Sequence, residues 1–271
     1  MNSRVKLIGV AASVLLGAGA VLRPIAAGMR PAGVWPARSL QAGHVRAILG
    51  SGVSLAALGG FRALVADLLW LRTYAAWAAC DPTATQALIR LVTTIDDRPL
   101  CFWLNGARIM AYDVPEWRLH AGGRGTAAPA EVRRRIVDEQ AQAALAYLAD
   151  ARCRHPDSAA LCVEIANLHL NRRADIAAAA AWYRAAAESP DPPYFAARIH
   201  AELLNRLGRP QEAYAWLCRL HPTLPPGDSR AMAPLVLRRI RDLERALQVP
   251  ETGRYICPDA RLFNQPRQKR D

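Results

Sequence analysis

Residues 144–190 read ALAYLADARCRHPDSAALCVEIANLHLNRRADIAAAAAWYRAAAESP, and a repeat inside this stretch decides the fold. Ala144, Leu148, Ala151 and Pro156 return 34 residues later as Ala178, Trp182, Ala185 and Pro190. A further 35 residues on stand Ala213, Leu217, Leu220 and Pro225. Upstream, Ala87, Leu91 and Pro99 keep the internal spacing of the first, second and last positions. Steps of four and three place these residues on one helical face. The small ones admit a neighbouring helix, and the proline ends its own helix. A helix pair built this way cannot bury its apolar face alone, whereas a stack of pairs buries a continuous core.

The pattern resembles the tetratricopeptide repeat (TPR) family, whose 34-residue helix-turn-helix units carry a small residue, an aromatic, a second small residue and a terminal proline at these offsets. The fit is best over 159–190, then over 194–225, and it extends in part back to residue 61. Gly208 stands where the family has its inter-helix glycine, whereas Arg172 and Arg173 occupy that turn in the preceding unit. The resemblance implies an all-α chain, a right-handed α-solenoid of helix pairs over 61–247. Helices are expected over 61–79, 83–97, 100–112, 130–152, 159–172, 175–188, 193–207, 210–221 and 230–247. The helix at 100–112 should pair with 130–152 across an insertion at 113–129. Asp228 or Ser229 is the expected cap of the last helix, whose stripe Val236, Ile240, Leu243 and Leu247 opposes arginines. The tail 248–271 reads as irregular and basic.

A narrower resemblance lies at the start of the body. Gly59-Gly60-Phe61-Arg62 followed by Asp67-Leu68-Leu69-Trp70 is similar to a signature of bacterial membrane-anchored TPR-like proteins. Phe102-Trp103 and Met110-Ala111-Tyr112 match a later Trp-rich helix of that group, with Asp113 where the group usually has asparagine. It implies a location and an architecture, and no activity.

Charge distribution agrees with a membrane location. The 271-residue chain carries a net charge of +12, and 33 of its 35 basic residues are arginine, a ratio that points to coding bias more than to phosphate binding. Residues 1–66 hold seven basic residues and no acidic one, so most of the excess belongs to the N-terminal segment and points to membrane before nucleic acid. Alanine supplies the hydrophobic surplus, which favours helix and excludes all-β, disordered and multi-pass chains. Arg4 and Lys6 precede a sixteen-residue run without charge at 7–22. A signal-anchor through residues 5–27 is expected, with a cleaved signal peptide or a buried core helix as the alternatives, so 1–30 is taken as one segment. The short N-terminal tail favours export of the body, although Arg23, Arg30 and Arg38 follow the span. Residues 31–60 form a juxtamembrane linker. Its apolar stretch 47–61 contains Gly50, Gly59 and Gly60 and is followed by Arg62, Asp67 and Arg72, which suits a buried or interfacial helix better than a second span.

Chemistry-bearing motifs are sparse. His44, His120, His155, His169, His200 and His221 form no ligand-spaced group, and no HExxH, CxxC, GxSxG or phosphate-loop motif occurs. No metal, no cofactor and no nucleic acid is therefore expected. The six cysteines read as buried free thiols, with Cys153–Cys162 and Cys218–Cys257 as alternative bridges in an exported body. Carrying the TPR register onto the chain places Val163, Asn167 and Asn171 on one inner helix and Arg198, Glu202, Asn205 and Arg206 on the next. This set is reminiscent of the carboxylate clamp of chaperone-binding TPR domains, without the full Lys-Asn-Asn-Lys-Arg complement. Trp117 and His120, in the insertion, are the second candidate contact. The expected function is a non-catalytic, membrane-anchored scaffold for protein or peptide partners at the cell envelope. The alternatives are a subunit of a secretion or pilus assembly, or a cell-wall hydrolase using Asp67 or Glu164.

Overall fold

The computed structural model describes residues 61–120, 128–225 and 227–257. The expected anchor and linker, Gly59 and Gly60 with them, and the tail from 258 onward lie outside the described residues. Among the described residues every regular element is helical. None of these helices is long and apolar enough to cross a membrane.

Ten α-helices follow in chain order: α1 Arg62–Ala78, α2 Pro82–Ile95, α3 Leu100–Arg108, α4 Val114–His120, α5 Ala130–Arg154, α6 Ala159–Asn171, α7 Ile176–Ala187, α8 Tyr194–Arg206, α9 Pro210–Leu220 and α10 Ala233–Ala246. Local chemistry sets several of the ends. The Asp81 carboxylate accepts from the Thr83 and Ala84 amides at 3.0 and 2.9 Å, and Pro82 fills the first helical position of α2. Asp175 caps α7 through the Ala178 amide at 2.9 Å, and Ser158 caps α6. Gly208 ends α8 with φ +72°, and the Arg209 amide reaches back to the Leu204 carbonyl. At the equivalent α6–α7 turn Ala174 takes the left-handed conformation, φ +53°, that glycine supplies elsewhere.

Each helix packs mainly on its neighbours in sequence: α1 on α2, α3 and α4 on α5, α5 on α6, and so on to α9 on α10. The core follows as a relay of clusters. Ala66, Val92, Ile95 and Phe102 join α1, α2 and α3. Ile89, Trp103, Met110, Tyr147, Leu148, Leu161 and Leu168 carry the core on to α6. Cys162, Ala166, Ala180, Tyr183 and Leu203 link α6, α7 and α8. Ala201, Leu217, Val236 and Ile240 close it against α10.

Of the repeated positions, Ala144, Leu148, Ala151, Ala213 and Leu217 are buried. In α7 the buried face is one residue displaced, onto Ala179, Tyr183 and Ala186. Trp182 sits partly buried at the seam of two clusters, beneath the Arg152 guanidinium, 4.7 Å from its ring.

Four further expectations change. The insertion at 113–129 is partly helical: a π-turn, Ile109–Asp113, carries α3 straight on into α4. The last helix starts at Ala233, because Met232 is left-handed and Pro234 suits only a first turn; Asp228 binds Arg230 instead of capping. Part of the tail is ordered by a short 3-10 turn, Glu251–Gly253, and by the Tyr255 amide donating to Glu244 at 2.7 Å. All six cysteines are free, so neither bridge forms, and Cys80, Cys101 and Cys153 are exposed rather than buried.

Candidate functional site

The π-turn and α6 face each other across a cleft of about 410 Å³, lined by Arg108, Tyr112, Asp113, Glu164, Asn167 and Asn171. A π-turn inserts one extra residue into a helix, re-aims the side chains that follow, and is frequent at functional sites. Here it turns Tyr112 and Asp113 to the cleft while Met110 and Ala111 stay in the core.

The polar groups of this cleft are held from behind. Glu164 is 3% exposed and receives both Nε and Nη2 of Arg108, at 2.9 and 2.7 Å. That hydrogen bond raises the Arg108 pKa above its ordinary value, so the guanidinium stays charged. The Tyr183 hydroxyl donates to Asn167 Oδ1 at 2.6 Å, leaving the Asn167 amide NH2 as the group presented to a ligand. Burial, with the Glu164 charge behind it, pushes the Tyr183 phenol up and keeps it a donor. Trp77 Nε1 donates to Asp113 Oδ2 at 2.8 Å, and the Arg172 guanidinium covers the Tyr112 ring at 4.9 Å. Asn171 is exposed at the cleft's edge. The lining therefore holds one guanidinium and two carboxylates around two amide side chains.

The six groove residues read from the TPR register do not share one groove. Asn167 and Asn171 line this cleft. Glu202 and Asn205 line a second one between α8 and α10, with Arg238, Arg239 and Asp242, and there Glu202 pairs with Arg239. Arg198 is turned away to the carbonyls of Arg230 and Ala231, at 3.3 and 2.9 Å. Arg206 is exposed outside both. With Arg198 and Arg239 engaged in this way, the likeness to a carboxylate clamp does not extend to the geometry.

The insertion candidates have local roles. Trp117 packs edge-on to Trp77, 6.5 Å between rings, and exposed His120 bonds the Glu116 carbonyl at 2.7 Å. Phe61, just before α1, and Asp67, on it, stand exposed, while Trp70 packs on Phe102 at 5.1 Å. Arg62 reaches Asp96 at 3.5 Å and Asp97 at 3.9 Å. Those aspartates form a junction that sequence reasoning missed. Asp96 is buried, and its bond from the Arg98 side chain holds its carboxyl below the usual range, against the opposing effect of burial. Asp97 pairs with Arg154 at 3.0 Å, and its carbonyl meets Trp103 Nε1 at 2.8 Å. Arg108 and Tyr112 were missed as well; a lone arginine on a helix carries no spacing signal of its own.

Among the described residues no three His, Cys, Asp or Glu side chains gather as a metal site. Compared with known protein families, curated proteins and solved structures, the chain matches none.

Proposed function

We propose that this chain is a non-catalytic scaffold of TPR-like helix pairs, anchored through residues 5–27 in the cytoplasmic membrane with its helical body on the outer side. It holds an extended segment of a protein partner in the cleft between the π-turn and α6. The observation that carries this reading is the pre-set polar lining of that cleft. Asn167 and Asn171 offer amide groups that match a peptide backbone, and their surroundings are already fixed by Tyr183, Glu164 and Trp77. Arg108 is engaged by Glu164, and Asp113 adds a second carboxylate. The lining thus favours a polar or basic segment over a free carboxyl terminus. Sequential packing of α5 to α10 and the core relay support the stacked-repeat reading. A hydrolytic role gains no support, since Glu164 is buried in an ion pair and Asp67 lies exposed on α1.

Selection from a displayed peptide library tests the binding. The full chain should retain extended basic or polar peptides. Asn167→Ala with Asn171→Ala should weaken them about tenfold, the loss of one or two hydrogen bonds worth about 1 kcal/mol each. Peptides held equally well by the double variant, or no peptide held at all, would contradict the proposal.

A further inference from the structure

One face of α1 is unlike the rest of the surface. Phe61, Leu64, Leu68, Leu71 and Tyr74 are between 45% and 66% exposed. Steps of three and four put Phe61, Leu64, Leu68 and Leu71 on a single stripe, with Ala75 in line and Tyr74 at its edge. The opposite face is already occupied: Ala66 and Thr73 are buried toward α2, Trp70 stacks on Phe102, and Trp77 reaches Asp113 and Trp117. The helix thus carries apolar residues on two faces, with Arg62, Asp67 and Arg72 between them, and only one of those faces packs on the described body. At the other end of that body α10 exposes Arg238, Asp242 and Arg245, the polar outer face expected of a terminal helix in water.

Charge indicates what covers the stripe. The chain that leads into α1 holds six cations and no acid over residues 1–61, Arg62 opens the helix, and exposed Arg72 and Asp67 flank the stripe on its two sides. A helix with a large apolar stripe next to a purely basic segment suits the boundary of an anionic bilayer, where leucines enter the acyl region and arginines meet the headgroups. If the sixteen-residue uncharged run at 7–22 anchors the chain as proposed, it would raise the effective concentration of α1 at the same surface. We infer that α1 lies in the membrane interface with Phe61, Leu64, Leu68 and Leu71 against anionic phospholipid, seating the helical body on the bilayer. This rests on the anchored reading proposed above.

The test uses the full chain in vesicles of phosphatidylethanolamine and phosphatidylglycerol. A photoreactive benzoylphenylalanine replaces Leu68, or in a second variant Leu71; Glu188, exposed just after α7, serves as the control position. Illumination should give lipid adducts at 68 and 71 and none at 188, with loss of the adducts when phosphatidylglycerol is omitted and Leu64 is changed to Gln. Cross-links to a second copy, cross-links to residues 1–60 of the same chain, or no adduct at all while the protein still floats with the vesicles would overturn the inference and leave anchoring standing. Failure to float would remove both.

Discussion

At Gly106 there is no room for a methyl group. A Cβ would stand 2.7 Å from Ile89 Cγ2 and 3.0 Å from Tyr147 Oη, where α2, α3 and α5 meet. Gly106→Ala is therefore expected to cost about 1–3 kcal/mol by overpacking, read as a lower urea midpoint at unchanged slope. An unchanged midpoint would show that the three helices meet otherwise. Nothing in the sequence distinguishes this glycine, because its necessity comes from two residues distant in the chain. The same holds for Asp96 and Asp97. Arg62 was legible as a charge inside an apolar segment, yet its partners stand 34 and 35 residues away on the α2–α3 link. Charge in an apolar context is visible locally; the group that neutralises it is not.

Helices were legible because their signals are local. Proline marks ends by its fixed φ and missing N–H, and Asp81, Ser158 and Asp175 fix starts through bonds made within three residues. The π-turn was not legible, since one inserted residue changes no composition and only shifts the phase of the apolar pattern. That shift decides the candidate site: it brings Tyr112 and Asp113 round to Asn167 and Asn171, which the register carried over from the repeat had named together with Arg198, Glu202, Asn205 and Arg206, none of which lines this cleft. Contacts between helices make a further prediction. His200 of α8 donates through Nδ1 to the Ala180 carbonyl of α7 at 2.8 Å and lies edge-on to Trp216 of α9 at 4.6 Å. Burial lowers its pKa, and that of His169 too. As pH falls below the ordinary histidine value of about 6.5, the unfolded chain takes up protons that the folded one resists, so stability declines until the folded pKa is passed. Thermal unfolding across this range should show that decline, and His200→Gln should make it shallower. A slope identical to wild type would contradict the placement of His200.

For the molecule as a whole, charge and repeat point the same way. The basic excess gathers in the first 66 residues, and the alanines of 144–217 are the small residues that let successive helices close on one another. On the proposed reading, specificity comes from a surface cleft and the place in the cell from the segment ahead of α1. That segment's length and hydropathy were readable; a partner for the cleft was not, because Asn, Arg and Asp can recognise many peptides equally well. Alkaline extraction of cell membranes, followed by protease treatment of intact spheroplasts, tests the central claim most directly. The account predicts that the full-length chain stays with the membrane pellet and that external protease removes the body from α1 onward. Recovery of the chain in the soluble cytoplasmic fraction would contradict it.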